Sequence, residues 1–294
     1  MPRVLIATTD LDVLDDVPVD DDDRVMADAL AAVGTDVQVV TWDDPAVDWS
    51  GADAVVLRSV RHDPQRRDEL VDWAGRVGGV TQLFPDADVV RWNTHTSYLL
   101  ELEDRGAPIV PTAWLAAGDR VSLADLAADR GWDAVVAKPA VGAGRVGIVV
   151  ARDPAAEEEA FTELLAHHDV LVQPFLERVG DLGELSVVCI DGRCSHAVRK
   201  VPAAGDWRVR VAFGATHEHV EPDLATARLA EWIVAATEAE PLFARVDLLP
   251  APDGTWQLLE VDLVDPGLHL AGAPGSAERL AVALRARLGG AGAA

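Results

Sequence analysis

Three groups of polar residues stand in otherwise apolar segments, and each suits one part of phosphoryl-transfer chemistry. Lys138 ends the apolar run DAVVAK and is followed by PAVGAGRVG, with Gly142 and Gly144 in the loop. A lysine leaving a sheet beside a glycine-rich turn can hold ATP phosphates while loop amides close over them. No Gly-Lys-Ser/Thr follows the glycines, so this is not a Walker A loop. Taken alone, a glycine-rich hairpin that binds nothing explains it equally well. The second group is Asp247 in ARVDLL with Glu260 and Asp262 in LLEVDLV. A DGT turn pairs these segments as a hairpin, and residues two apart on a strand share a face. Three convergent carboxylates repel unless a cation neutralises them, and hard oxygen donors suit one or two Mg²⁺ ions. Solvated acids on a half-exposed hairpin are the plainer alternative. The third group gathers Arg199, Lys200, Arg208 and Arg210 within twelve positions of HAVRKVPAAGDWRVR. Such a field fits a phosphoryl group in transfer, although ordinary surface ion pairs give the same pattern.

The elements that must position these groups follow from periodicity. RVLIATT, DVQVVTW and DAVVLRS read as strands, with helices expected over 23–33 and 64–77. Strands alternating with helices imply a parallel sheet, so residues 1–90 form a Rossmann-like α/β unit. Its first turn lacks G-x-G-x-x-G and marks no dinucleotide site. Residues 91–175 carry a helix over 94–105, the strand APIVPTAWL, a helix around 122–130, the lysine strand with its glycine loop, a helix over 154–167 and the strand VLVQPFL. Residues 176–294 are α+β, with the hairpin LSVVCIDGRCSHAVRKVP, a helix over 222–239, the carboxylate hairpin and a last helix over 276–288.

Composition sets limits. The chain has 294 residues and a net charge of −25, from 50 acidic and 25 basic residues. Nucleic acid and anionic membranes are therefore poor partners, whereas local cations and Mg²⁺ can still reverse the field inside a cleft. Only two basic residues are lysines, Lys138 and Lys200, and both fall in candidate nucleotide-site segments. The Asp20–Asp23 run lacks EF-hand spacing and reads as a solvated loop entering a helix. No signal-peptide pattern opens the chain and no apolar run is long enough to cross a bilayer, so a cytoplasmic protein is expected. Cys189 and Cys194 flank an Asp191-Gly192 turn that would place them opposite each other, as two thiols in a reducing compartment. His217 and His219 share a strand face but have no third ligand at a telling spacing.

Taken in order, strand-Lys-Pro with its glycine loop, VQPFL, RK…GDWR, RVD and LLEVDLVDP resemble an ATP-grasp protein of the glutathione-synthetase-like group. That group includes ribosomal-protein glutamate ligases and the cyclo-ligase that closes O-ureidoserine to cycloserine. The upstream pieces WSGADAVVLRS and LFPDADVVRWNTHTSYLLELEDRGAPIVPT resemble the cycloserine-type branch, so the likeness covers nearly the whole chain. The resemblance implies an ATP-grasp fold behind a pre-ATP-grasp domain at 1–90, with an N-subdomain at 91–175 and a C-subdomain at 176–294. It implies that Lys138 contacts the ATP phosphates under a flap over 142–147. Gln173, Pro174, Phe175 and Leu176 would form the adenine hinge, and Glu184 would contact ribose. Arg208 would neutralise the γ-phosphate and then an acyl-phosphate, with Lys200 and Arg199 in the same field. Asp247, Glu260 and Asp262 would be ligands for two Mg²⁺ ions, and Arg58, Ser59 and Arg210 would line the substrate pocket.

The reaction so implied is ADP-forming carboxylate–amine ligation, or the intramolecular equivalent, on a small amino-acid-like substrate. The partners are then a small carboxylate and a nucleophile, in a chain compatible with a homodimer. A kinase of the same fold and a non-catalytic nucleotide-binding homologue are the alternatives. Two departures stand out. Thr96 replaces the lysine usual in WNTHTSYLL, and RSVRHDPQRR lacks the aromatic pattern common after Arg58-Ser59, where Arg61 and His62 now stand.

Overall fold

The first apolar run becomes β1 (Arg3–Thr8), at the centre of a parallel sheet with β2 (Asp36–Thr41), β3 (Ala54–Leu57) and β4 (Gln82–Phe84) in the order β2-β1-β3-β4. The computed structural model describes residues 1–9, 22–60, 64–142 and 147–290. Gly144, Arg61, His62, Asp20 and Asp21 lie outside the described residues. Val4 and Ile6 of β1 face α1 (Asp22–Ala32) and the last helix, α9 (Ser276–Gly290), whose Leu280, Ala281 and Leu284 join their core. Leu5 and Ala7 face the other way, toward Leu70, Trp73 and Val77 of α2 (Arg67–Gly78). A strand covered on both faces shows an unbroken apolar run instead of alternation, which is what VLIA displays.

The helix expected over 94–105 is α4 (Tyr98–Asp104), and an additional helix, α3 (Ala87–Asn93), precedes it. The Asp86 side chain starts α3 by accepting from the amides of Asp88 and Val89. Thr94 ends it, its hydroxyl donating to the Val90 carbonyl at 2.7 Å while Arg67 donates to the Thr94 carbonyl.

The second sheet is antiparallel, β5 (Ala113–Leu115), β6 (Val135–Pro139), β7 (Val149–Ala151) and β8 (Val170–Pro174) in the order β5-β8-β6-β7. It builds its own core with α5 (Leu123–Arg130) and α6 (Glu158–His167), around Phe161. Gly131, at φ 68°, ends α5 in the left-handed conformation that glycine accepts without strain.

After the short helix α7 (Val179–Leu182), the third sheet contains β9 (Glu184–Ile190), β10 (Arg193–Val201), β11 (Thr216–Val220), β12 (Phe243–Pro250) and β13 (Trp256–Asp262). It is antiparallel, in the order β11-β10-β9-β12-β13. Leu185, Val187, Ala197, Val246 and Leu248 cover one face and pack on α4 and on α8 (Leu224–Ala236), through Leu99, Leu102, Ile233 and Val234. Cys189 and Cys194 stand opposite each other across the Asp191-Gly192 turn, and both thiols are free. No helix among the described residues is long and apolar enough to cross a membrane.

Candidate active site

The opposite face of the third sheet is polar, and its register determines who meets whom. Lys200 of β10 pairs with Glu184 of β9, Ser186 of β9 with Asp247 of β12, Asp247 with Glu260 of β13, and Arg245 of β12 with Asp262. Alternation then puts all seven side chains on one side of the sheet. Lys200 Nζ lies 2.9 Å from Glu184 Oε1 and 3.7 Å from Asp247 Oδ1. The Ser186 hydroxyl donates to Asp247. Arg245 Nε donates to both Asp247 oxygens, at 3.1 and 2.9 Å, and its Nη2 is 3.4 Å from Asp262 Oδ2.

Part of the charge balance that the three carboxylates require comes from the sheet itself. Among the described residues, no three His, Cys, Asp or Glu side chains form a ready-made metal cage. Arg245 stands between Asp247 and Asp262 and absorbs much of their repulsion. Burial alone would raise the Asp247 carboxyl, but Arg245, Lys200 and Ser186 bring it down to about 2. Burial works against the Arg245 charge, yet Asp247, Asp262 and Glu260 hold its pKa well above the ordinary value. Asp262 goes the other way, raised by burial against the pull of Arg245. Arg245 was legible in ARVD, two residues before Asp247 and therefore on its face, but the sequence reading passed over it.

Glu260 is the exception. Among the described residues no hydrogen bond or ion pair reaches its carboxylate, and burial, then Asp262 and Asp247, raise its pKa to about 7. Lys138, at the end of β6 in the neighbouring sheet, is likewise without such a partner. Burial lowers its pKa, while the charges of Glu260 and Glu184 oppose that shift. Two half-buried charges of opposite sign, neither hydrogen-bonded, face a common space between the two sheets.

The hinge residues lie on and just after β8. Gln173 is buried, with its amide nitrogen donating to Thr112 Oγ1 at 3.0 Å, so its side chain fastens β8 to the segment before β5. Pro174 pairs with Val135, and the Phe175 amide donates to the Ala134 carbonyl at 2.8 Å. Arg152 lies over the Phe175 ring, 4.5 Å from its centroid, and Leu176 is half-buried beside it. Gly142 follows Lys138 closely, at the described edge of the flap.

The cationic group is not brought together. Arg199 pairs with Leu185 and so points away from Lys200, to the opposite face of the sheet, where it is exposed beyond the apolar cover. Parity along β10 removes it from the field expected of it. Arg208 is held by Asp206, with Nε and Nη2 donating at 2.9 and 2.6 Å, and lies over the Phe213 ring at 3.8 Å. Arg210 is exposed.

Arg58 is buried at the join of the first and third sheets. It donates to the Pro266 carbonyl at 2.9 Å and lies 3.4 Å from Asp23 and 3.7 Å from Asp22, over the Phe243 ring. Ser59 donates to Asp23 at 3.1 Å. Arg58 therefore ties the first sheet's unit to the segment after β13, while Ser59 holds Asp23 of α1, structural uses beyond the expected substrate contact.

Two residues missed from sequence hold β13 in place. The Asn93 amide donates to the Val261 carbonyl at 2.8 Å and accepts from the Leu263 amide at 2.7 Å, clasping the backbone on both sides of Asp262. The Tyr98 hydroxyl accepts from the Val261 amide at 3.1 Å. Thr96 bonds the Ala140 carbonyl through its amide and its hydroxyl, at 2.8 and 2.9 Å, just beyond Lys138. It secures the base of the flap without adding charge.

Comparison with known proteins adds independent findings. Residues 109–267 match the family model "Prokaryotic glutathione synthetase, ATP-grasp domain", and residues 4–85 match "D-cycloserine synthetase DcsG, N-terminal domain". The cycloserine biosynthesis protein DcsG of Streptomyces lavendulae is 32% identical over 285 residues, 92% of this chain and 95% of that protein. The crystal structure of D-cycloserine synthetase DcsG superposes with a TM-score of 0.86 at 30% identity, covering 97% of this chain and 99% of that one. The ATP-grasp ligase PsnB, complexed with minimal precursor, Mg and ADP, shares the fold at a TM-score of 0.64 and 18% identity, covering 97% and 98%.

Proposed function

We propose a reaction for this chain from one premise: it belongs to the ATP-grasp family. It is an ADP-forming ligase that joins a carboxylate to a nitrogen nucleophile on a small amino-acid-like substrate. The observation that carries this reading is the partnerless pair Lys138 and Glu260, facing each other between two sheets beside the Lys200–Glu184–Asp247–Arg245–Asp262 array. A purely structural polar network would satisfy its members internally.

The carboxylates fit Mg²⁺. Glu260 has both oxygens available, and Asp262 and Asp247 are hard donors nearby whose repulsion a cation relieves. Glu260 with Asp262 would hold the metal, Asp247 contributing once Arg245 turns toward an anion, and the oxygens suffice for two ions. Bound there, Mg²⁺ neutralises phosphate charge and orients the triphosphate. Lys138 faces the phosphates from the second sheet. Arg245 and Lys200, already aligned along the sheet face, stabilise the charge that moves as a substrate carboxylate attacks the γ-phosphate. The acyl-phosphate then yields to the nitrogen nucleophile. Arg208 joins only by exchanging Asp206 for phosphate. Gln173 to Leu176 border the adenine end, and Glu184 reaches ribose from its pair with Lys200. Arg58, Ser59 and Arg210 contribute to the substrate side, and the work takes place in the cytoplasm, where ATP is available.

The cycloserine-type likeness favours ring closure over the joining of two molecules. The test is ADP and phosphate release from Mg·ATP with O-ureido-D-serine, against D-alanine and D-serine as intermolecular substrates. Ring product with free phosphate supports closure. Phosphorylated substrate would instead establish a kinase, and absence of Mg·ATP binding a non-catalytic homologue.

A further inference from the structure

One imidazole on the same sheet face has no place in the machinery above. His269 adopts φ 52° and ψ 36°, a left-handed conformation that a non-glycine residue keeps only when its surroundings hold it. The holding group is Asp22, fully buried at the start of α1. Its carboxylate accepts from the amides of Leu268, His269 and Leu270 at 2.6, 2.9 and 2.6 Å. Arg58 secures the same segment through Pro266. The first domain thus fixes the backbone that presents His269.

The ring so presented makes no hydrogen bond among the described residues. Its neighbours are engaged: His196 by Ser195 and the Leu268 carbonyl, and His217 by donating from Nε2 to the Val209 carbonyl at 2.7 Å. The His269 ring lies 5.9 Å from that of His217 and 6.4 Å from that of His219, centroid to centroid. His217 pairs in register with Lys200, so His269 borders the phosphate-facing array. Burial, then Lys200 and Arg245, lower its pKa to about 3, with His217 adding and Asp22 opposing. The imidazole is therefore neutral, with a nitrogen lone pair available.

We propose that His269 is the proton acceptor for the attacking nitrogen in the second half-reaction, an assignment that rests on the ligase reading above. The nitrogen lone pair forms the C–N bond, and the C–O bond to the phosphoryl group breaks with its electron pair, releasing inorganic phosphate. The N–H proton passes to the open imidazole nitrogen. Burial, and after it Lys200 and Arg245, suppress the basicity of His269 in the free protein. Phosphate and substrate anions neutralise both cations on binding, so the base gains proton affinity when the acyl-phosphate is in place.

His269→Asn tests this, since asparagine tolerates the left-handed backbone and preserves the Asp22 bonds. With O-ureido-D-serine, ring product falls on the order of 100-fold and the acid limb of the pH profile, where the base becomes protonated, disappears. Calorimetric Mg·ATP affinity stays unchanged. Added hydroxylamine still traps the acyl-phosphate as hydroxamate at the wild-type rate. Undiminished ring product would overturn the assignment, as would hydroxamate falling in step with it. Wild-type protein that binds Mg·ATP but releases no ADP with this probe counts against the ligase reading instead. His269 is then decided by the imidazole NMR signals of the wild type with Mg·ADP, phosphate and D-cycloserine. The resonance missing from His269→Asn must move toward protonation, and an unmoved resonance overturns the proposal.

Discussion

Glu260→Gln separates the demands of catalysis from those of folding. Glu260 is lifted from 4.5 to about 7 by burial and by its acidic neighbours. An ionised carboxylate so placed costs the folded protein about 3 kcal/mol. Asp262, also raised, shares that proton affinity, so removing Glu260 alone recovers about 1–3 kcal/mol. The sign follows from proton binding. Between pH 4.5 and about 7 the folded protein keeps a proton that the unfolded chain has released. Stability therefore falls as pH rises through that window, and the penalty is complete above it. In metal-free buffer, Glu260→Gln should match the wild type near pH 4.5 and exceed it at pH 8, in urea melts at both pH values. Saturating Mg·ADP reverses the order: ligand at 100 times its Kd adds about 2.7 kcal/mol to the wild type and little to the variant, which also loses turnover. Equal stability at pH 8 without metal, or an equal response to Mg·ADP, would refute the reasoning.

Three other substitutions probe the surrounding supports. Arg245→Met leaves Asp247 and Asp262 without their shared cation, so urea melts should show a loss of about 3–5 kcal/mol and ADP release should cease. Asn93→Leu strands the Val261 carbonyl and the Leu263 amide. Its melts should show a loss of about 2–4 kcal/mol, with a lower kcat because Asp262 is no longer fixed. Thr96→Lys sacrifices one hydroxyl bond to Ala140 but adds a charge at the base of the flap. Calorimetry should show ATP binding tightened about tenfold, or about 1.4 kcal/mol.

Local spacing carried the parts of this architecture that a strand pair can encode. Glu260 and Asp262 share a face because they are two apart, and the Asp191-Gly192 turn sets Cys189 against Cys194. The same parity rule excludes Arg199 and admits Arg245, so both were within reach of the sequence. The clasp on β13 was not. Asn93 lies 168 residues from Val261, and Asp22 lies 246 residues from Leu268. Neither distance leaves a periodic trace, because the pairing depends on how whole domains dock. The separation of α3 from α4 is of the same kind: it depends on Thr94 being claimed by Arg67, 27 residues earlier.

The return of α9 to the first sheet bears on vectorial synthesis. Leu280, Ala281 and Leu284 complete the core that Val4 and Ile6 begin, so those strands remain half-covered on the ribosome until residues 276–290 have emerged. The second sheet has no such wait, since its core lies between Ala113 and Val172. The second sheet and its helices can therefore condense while the first sheet still lacks α9. A nascent chain arrested before α9 would expose the apolar face of β1 to chaperones and proteases.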